Sequence, residues 1–313
     1  FDYYYKKTND ILVQTPYIAA MGEGGEPWVN GASMNNQGIE FTVSFKSNPA
    51  NEFQWAISAN VGTYKTKLTD LPSNVINKYA GDGVHDLILG RSPNSAYGLV
   101  ADGIFKTQEE VDAHAEQQGK AVGRIRYKDL DGDGVINETY DRTWIGCYDP
   151  DFFGGINFDF AYKGFDLNLF FEGMFGNDVN SDWKKESDIW LFTNPAWKNH
   201  ATRMLGGWSP DNPNSDIPAI TNNTANQEQR FSSWFIEDGS YIKLRNIELG
   251  YTFPTKVIQK MHMSNLRLYA AAYNVFTLKK FWGDDKYTSF DPERPSYNYL
   301  TPFTFNFGIN VSF

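Results

Sequence analysis

The sequence predicts an all-β chain: the wall of an antiparallel transmembrane β-barrel, with about eight strands and long extracellular loops. Three observations predict it. Apolar and polar residues alternate strictly in segments of about 9 to 11 residues, the length a tilted strand needs to cross a bilayer. The connections between these segments alternate short and long, as in barrels with short periplasmic turns and long extracellular loops. The last segment is the clearest, with Phe303, Phe305, Phe307, Ile309, Val311 and Phe313 alternating with Thr304, Asn306, Gly308, Asn310 and Ser312.

The bulk numbers point elsewhere unless the period is read first. The chain has 313 residues and a net charge of -10, with a mean hydropathy of -0.50 and a pI near 4.9, so hydropathy alone suggests a soluble protein. A barrel strand alternates lipid-facing apolar residues with lumen-facing polar ones, which averages its hydropathy away. No run approaches the roughly 18 apolar residues of a membrane-spanning helix, and that leaves strand-built spans open. Aromatics make up 16% of residues, as interfacial girdles require. Tyr3, Tyr4, Tyr5, Trp55, Tyr162, Tyr251, Tyr273 and Phe313 near strand ends suit that role. A single cysteine, Cys147, forms no internal disulfide and reads as a small buried or loop residue rather than a nucleophile. The acidic balance argues against nucleic acid as a partner, because phosphate neutralisation needs a basic face. The opening Phe1-Asp2-Tyr3-Tyr4-Tyr5 has no initiator Met or signal segment, so the chain reads as one entered in its middle.

In chain order, strands are expected near 1–13, 37–46, 52–65, 152–162, 165–175, 240–253, 265–277 and 302–313. Ile39, Phe41, Val43 and Phe45 carry the second; Phe53, Trp55, Ile57, Ala59 and Val61 the third. Ile156, Phe158 and Phe160, then Phe165, Leu167, Leu169 and Phe171, carry the next two. Short connections fall at 48–51, 163–164 and 254–264, and long loops at about 15–36, 66–151, 176–239 and 278–301. A chain of this order ends in the periplasm with every odd connection outside. A soluble sandwich also alternates its residues, but it has no reason to alternate loop lengths or to carry loops of this size.

The loop 66–151 holds the most organised chemistry. Asp129, Asp131 and Asp133 stand at positions one, three and five of a calcium-type loop, with Gly134 for the sharp turn, the Val135 carbonyl at position seven and Asn137 at nine. Position twelve is Tyr140 rather than Glu, so Asp141 completes the shell only through a one-residue bulge. Structural calcium is one reading and an Asp-rich turn capped by its own side chains the other. Just before it, Thr107 and Glu110 form a capping box for a surface helix to about residue 118.

The loop 176–239 gathers Trp183, Trp190, Trp197, Trp208 and Trp234 among Asn, Ser and Asp. Such indoles can stack on sugar rings beside hydroxyl-bonding amides, or form a loop core or protein interface. The loop 278–301 carries Trp282, Asp284 and Asp285, then Asp291-Pro292-Glu293, which read first as turn formers and second as substrate-facing acids. His85, His114, His200 and His262 are scattered, and no catalytic motif occurs, so no enzyme is expected.

Four stretches together are similar to the carboxy-terminal signature of SusC/RagA-like TonB-dependent outer-membrane transporters. They are Tyr127 to Asn137 with Asp141-Arg142 and Ile145-Gly146; Ser240-Tyr241-Ile242-Lys243-Leu244-Arg245-Asn246-Ile247-Glu248-Leu249-Gly250-Tyr251; Leu266-Arg267-Leu268-Tyr269 with Asn274-Val275-Phe276-Thr277; and Phe307-Gly308-Ile309-Asn310-Val311-Ser312-Phe313. Tyr3-Tyr4-Tyr5-Lys6-Lys7-Thr8 resembles a mid-barrel strand of the same family. The resemblance implies the last third of a 22-stranded barrel in the bacterial outer membrane, crossing it many times in contact with lipid. It implies a SusD-like surface lipoprotein as partner, a TonB complex acting through an amino-terminal part, and active import of oligosaccharides or, alternatively, oligopeptides. It allows a dimer of transporter–lipoprotein pairs. The plug and TonB box are not visible in this sequence, and the terminal Phe313 resembles an outer-membrane assembly signal. Two rivals of other classes are a small-barrel enzyme, which needs a His-bearing constellation at the rim, and a soluble carbohydrate-binding or adhesive β-domain.

Overall fold

The computed structural model describes residues 1–14, 27–76, 86–189, 200–221, 227–279, 288–295 and 299–313. In chain order the strands begin with β1 (Asp2–Gln14), β2 (Trp28–Lys46) and β3 (Phe53–Asp70). A long connection follows, containing β4 (Ser95–Leu99), β5 (Ala101–Ile104), helix α1 (Gln108–Ala113), β6 (Ile125–Tyr127) and β7 (Arg142–Cys147). Next come β8 (Phe152–Tyr162), β9 (Phe165–Phe175) and a second long connection with β10 (Asp178–Asn180), α2 (Asp182–Lys184) and β11 (Ile236–Asp238). The chain closes with β12 (Tyr241–Thr252), α3 (Thr255–Ile258), β13 (Asn265–Lys279) and β14 (Thr304–Ser312).

Eight of these strands form one sheet in the order β1-β2-β3-β8-β9-β12-β13-β14, each pair antiparallel, so the chain meanders with no crossover. It is an open barrel wall with β1 and β14 at its edges. Register puts one greasy row across it: Phe41 opposite Val61, Ile57 opposite Phe158, Phe158 opposite Leu169, Leu169 opposite Ile247, and Ala272 opposite Phe305. Phe41, Phe305, Phe307, Ile309 and Phe313 are exposed on that face, where water would make them a liability and lipid makes them the solvent-matched choice. The opposite face carries Glu40, Thr42, Ser44, Asn60, Asn157, Asp159, Asn168 and Glu248. No helix among the described residues is long and apolar enough to cross a membrane, which says nothing against crossing by strands.

The eight expected strands are present; two of the short connections are tight turns, and the third carries α3. Lys163 (φ 49°) and Gly164 (φ 87°) form a two-residue hairpin turn with both residues left-handed. On the polar face, aromatics lie over glycines of neighbouring strands: a β-carbon at residue 308 would overlap the Tyr269 ring, and one at residue 62 would lie 2.9 Å from Phe153. Tyr4 does the same to Gly38, which takes it out of the girdle expected of it; Tyr3 and Tyr5 stay exposed.

Three boundaries depart from expectation. β2 starts at Trp28, inside the stretch expected as loop 15–36; β3 runs to Asp70; β13 runs to Lys279. Here the ladder continues beyond the greasy row, with Gln14 opposite Trp28 and Ser33 opposite Asp70. Outside the bilayer a strand needs no greasy row, so Asn30, Gly31, Asn35 and Asn36 conceal it. Its inner side is packed instead by Val13, Ala32, Leu68, Leu71, Val75 and Ile88.

The two longest connections fold together above the wall around Leu99, Ile104, Ile125, Tyr127, Ile136, Ile189 and Phe235. Thr107 caps α1 by accepting from the Glu110 N–H (3.2 Å), while Glu110 reaches back to the Lys106 N–H (2.6 Å). The helix ends at Ala113, not near 118, because Glu116 bridges to the segment at Val135: its N–H donates to Gly134 O (2.7 Å) and its carbonyl accepts from Ile136 N (2.8 Å). Val111 is buried, so α1 has an apolar face. The Arg124–Glu228 pair (2.8 Å) ties the connections together, and Glu228 also accepts from Ile125 N (2.7 Å). Burial pushes the Glu228 carboxyl up despite Arg124, and pushes the Arg124 guanidinium down. Arg124→Met should destabilise the loop unit by about 3 kcal/mol, since it removes the guanidinium that is ion-paired with the buried Glu228 carboxylate. Limited proteolysis between residues 90 and 240 checks this, with wild-type resistance as the contrary result.

Candidate functional site

Three arrangements carry chemistry: the acidic turn, the tryptophans of the upper loops, and the polar face of the wall. The acidic turn follows β6 directly. One carboxylate oxygen each from Asp129, Asp131 and Asp133 lie within 4.8 Å of one another. The turn is shaped by its own acids: Asp129 accepts from Gly132 N (2.7 Å) and Gly134 N (2.9 Å), Asp131 from Asp133 N (3.1 Å) and Asp133 from Val135 N (2.7 Å). Gly132 (φ 77°) and Gly134 (φ 86°) take the left-handed turns. Partial desolvation opposes the Asp129 charge, yet the N–H bonds from Gly134 and Gly132 outweigh it and hold the carboxyl low. Asp131 goes the other way: the Asp133 N–H lowers it, but desolvation and the charges of Asp133, Asp141 and Asp129 raise it.

This donor set suits a hard divalent cation, which would relieve that repulsion and take its remaining ligands from water. It is smaller than the sequence suggested. Asp141 is fully buried and spends its two oxygens on Leu130 N and Asn137 N, each at 2.7 Å. Asn137 Oδ1 caps Thr139 N (2.9 Å) and Tyr140 N (3.0 Å). Both therefore fasten the loop rather than join the converging acids. The Val135 carbonyl accepts from Asn137 Nδ2 at 3.3 Å and keeps a second lone pair.

Of the expected sugar-stacking residues, Trp208 and Trp234 pack against the loop core. Trp208 lies over Gly123, and Lys184 Nζ sits 4.7 Å above the Trp234 ring. Trp183 meets Phe290 edge-on, with ring centroids 4.6 Å apart. These indoles follow the loop-core alternative. Trp190, Trp197, Trp282, Asp284 and Asp285 lie outside the described residues, as does His85.

The polar wall face holds an organised array of side chains that sequence reasoning passed over. Asn246 Nδ2 donates to Asn168 Oδ1 (2.9 Å); Asn168 Nδ2 donates to Asn157 Oδ1 (2.9 Å) and Asp159 Oδ1 (2.7 Å). Arg267 bonds Asp166 and Glu248, the latter at 2.7 Å, and its guanidinium lies 5.2 Å from the Tyr269 ring centre. Nearer the first residues of β12, Lys243 pairs with Asp291 (3.1 Å) and Glu293, while Arg245 pairs with Glu172 (2.7 Å) and Glu293. A phase change in β12 signalled this group: Ile242 and Leu244 occupy even positions of the greasy row, Ile247 and Leu249 odd ones. The slip is a bulge at Arg245 that turns two consecutive residues, Arg245 and Asn246, to the polar side.

No family model matches the chain. It is similar along its full length to TonB-dependent receptor P3 of Formosa agariphila, with 30% identity over 331 residues, and to receptor P26 of that organism, with 29% over 332 residues. It is also similar to the TonB-dependent receptor SusC of Bacteroides thetaiotaomicron, with 24% identity over 324 residues. The chain covers 32%, 32% and 30% of these three proteins, about a third of their length. Among solved structures, that of the RagAB peptide transporter superposes with a TM-score of 0.75 at 22% identity, over 99% of this chain and 33% of that one. RagAB in its open-open state gives 0.73. These relatives are receptors rather than enzymes, in line with the lack of a catalytic motif. Along its whole length the chain is thus similar to SusC/RagA-like TonB-dependent receptors, on a wall that superposes on the RagAB structure, and it spans about a third of the length of the receptors it matches.

Proposed function

We propose that the complete receptor imports oligosaccharides across the bacterial outer membrane, energised through TonB and assisted by a SusD-like surface lipoprotein at its extracellular mouth. The observation that carries this reading is the two-faced wall: a greasy row toward lipid, and a polar face of ordered amides, carboxylates and guanidinium groups. Neighbouring amides and carboxylates present donors and acceptors in the spacing that sugar hydroxyls use, and a hydrated lumen lets them exchange partners as cargo passes. In this reading the wall strands and loops form the conduit and the capture surface, and the chemistry ends at binding. A strain lacking the receptor and complemented with the full-length gene should regain growth on pooled oligosaccharides as sole carbon source. Growth regained only on pooled peptides would overturn the cargo class; growth regained on neither would overturn import.

We further propose a structural calcium ion at Asp129, Asp131 and Asp133, which would stiffen the loop unit beside β6. Chelation should lower the melting temperature of the loop unit by several degrees through loss of a native-state ligand. Asp131→Ala with Asp133→Ala should abolish that response, and an equal response in the variant would exclude the site. Phe313, exposed at the end of the wall, is proposed as an assembly determinant: its deletion should reduce the outer-membrane level of the receptor severalfold on quantitative immunoblots.

A further inference from the structure

We infer that residues 288–295, between β13 and β14, form a detachable latch that closes against the polar wall face through ion pairs and must release for cargo to pass; the passage part rests on the import reading above. The segment belongs to the connection between Lys279 and Thr304, and its acids reach the wall near the first residues of β12. Asp291, mostly buried, lies 3.1 and 3.2 Å from the Nζ of Lys243, which is only 1% exposed. Glu293 joins Lys243 and Arg245 and accepts from the Tyr241 hydroxyl at 3.0 Å. Desolvation works against the Glu293 charge, but the bonds from Lys243 and Arg245 outweigh it and hold the carboxyl below its ordinary value.

The remaining attachments are also polar. Thr288 bonds Glu237 through N (3.1 Å) and Oγ1 (2.9 Å), the Ser289 hydroxyl meets that of Ser181 at 2.7 Å, and Lys279 Nζ donates to the carbonyls of Ser289 and Phe290 (3.0 Å for the latter). Trp183 N donates to Pro295 O at 3.3 Å. The large apolar side chain of the segment is Phe290, which touches Trp183 and is still 56% exposed. The loop unit beside it is built differently, on seven buried apolar residues. A permanent closure gains most from apolar burial, whereas polar and ionic contacts exchange for water at little net cost. Segments held that way open locally, far below the free energy of global unfolding.

Two backbone features show that the receiving site is built. Lys243 and Arg245, two residues apart on β12, share the polar face, and the bulge at Arg245 adds Asn246 to it. Across the ladder, Asn274 of β13 adopts φ 55°, a left-handed conformation rare for a non-glycine residue, and its side chain meets Arg245 (3.5 Å) and Pro302 O (3.1 Å).

Hydrogen–deuterium exchange on the full-length receptor in detergent tests release without any cargo. Amides of 288–295 should exchange at least about a hundredfold faster than those of the lipid-facing part of β12, and Lys243→Met should speed them a further tenfold or more. Protection equal to that of β12, unchanged in Lys243→Met, would overturn the latch. A second arm tests passage. Ser181→Cys with Ser289→Cys places two thiols where hydroxyls now touch, away from the ion pairs. In the complemented strain, the reduced form should support growth on whichever pool the wild type uses, and oxidation to the disulfide should abolish it reversibly. Growth undiminished with the disulfide verified by mass would overturn the requirement for release. If the wild type grows on neither pool, the import reading fails by itself and the exchange arm still decides the latch.

Discussion

Asp141→Ala is expected to unfold the loop unit while leaving the wall intact. The carboxylate is wholly buried and accepts two backbone N–H bonds, from Leu130 and Asn137, that clamp the two ends of the acidic turn. A hydrogen bond to a charged group contributes about 1.5 to 3 kcal/mol, and its loss leaves a buried donor unsatisfied. Two such losses total roughly 3 to 6 kcal/mol, comparable to the whole stability expected of so small a unit. The turn lies between β6 and β7, so its release frees Tyr127 and Ile136 from the loop core. Limited proteolysis should show cleavage between residues 90 and 240, with the heat-modifiable gel shift of the barrel unchanged. Wild-type resistance would mean that the surrounding core, not Asp141, holds the turn. The comparison with Asp131→Ala plus Asp133→Ala is informative, because those acids lie on the outer side of the same turn and should cost far less in the absence of calcium.

Gly154→Val is the corresponding test of the wall. Gly154 lies on β8, opposite Val61 of β3 and Gly173 of β9. A β-carbon there would overlap the carbonyl oxygen of Asn60 and sit 3.1 Å from the Val61 Cα. Backbone atoms cannot rotate aside, so the strands must part or the ladder must slip. Overpacking of this kind costs on the order of 3 kcal/mol, and it falls on a strand paired on both sides. The receptor should reach the outer membrane at a small fraction of its normal level, whereas Ile156→Val, on the lipid-facing row of the same strand, should leave the level unchanged. Normal assembly of Gly154→Val would show that β3 and β8 pass each other less closely than their register implies.

Both experiments concern contacts of different legibility. The wall could be read from the sequence because lipid is a uniform solvent that demands an apolar residue at every second position for the depth of the bilayer. The segments around Phe41, Phe158, Leu169 and Phe307 therefore announced their own conformation, face and approximate length. Where lipid ends, the signal ends with it, and the extensions of β2, β3 and β13 were read as loop. Asp129, Asp131 and Asp133 were legible for a related reason: their spacing is local, and a tight turn brings neighbours in sequence together in space.

What only the tertiary structure decided involves partners far apart in the chain. Arg124 meets Glu228, and Leu99 packs in one core with Phe235, because two long connections fold against each other. That fold also packs Trp208 and Trp234 against the loop core. Lys243 and Asp291 are neighbours only because β13 runs back beside β12 and returns the following loop to the wall. A bulge at Arg245 then decides which face two residues take, since a single added residue inverts a period-two pattern. The sequence by itself determined the alternating strands of the wall, its two faces and the acidic turn, each fixed by local spacing. The structure decided the loop core and the ion-paired latch, because long-range burial and charge pairing depend on which distant segments share space.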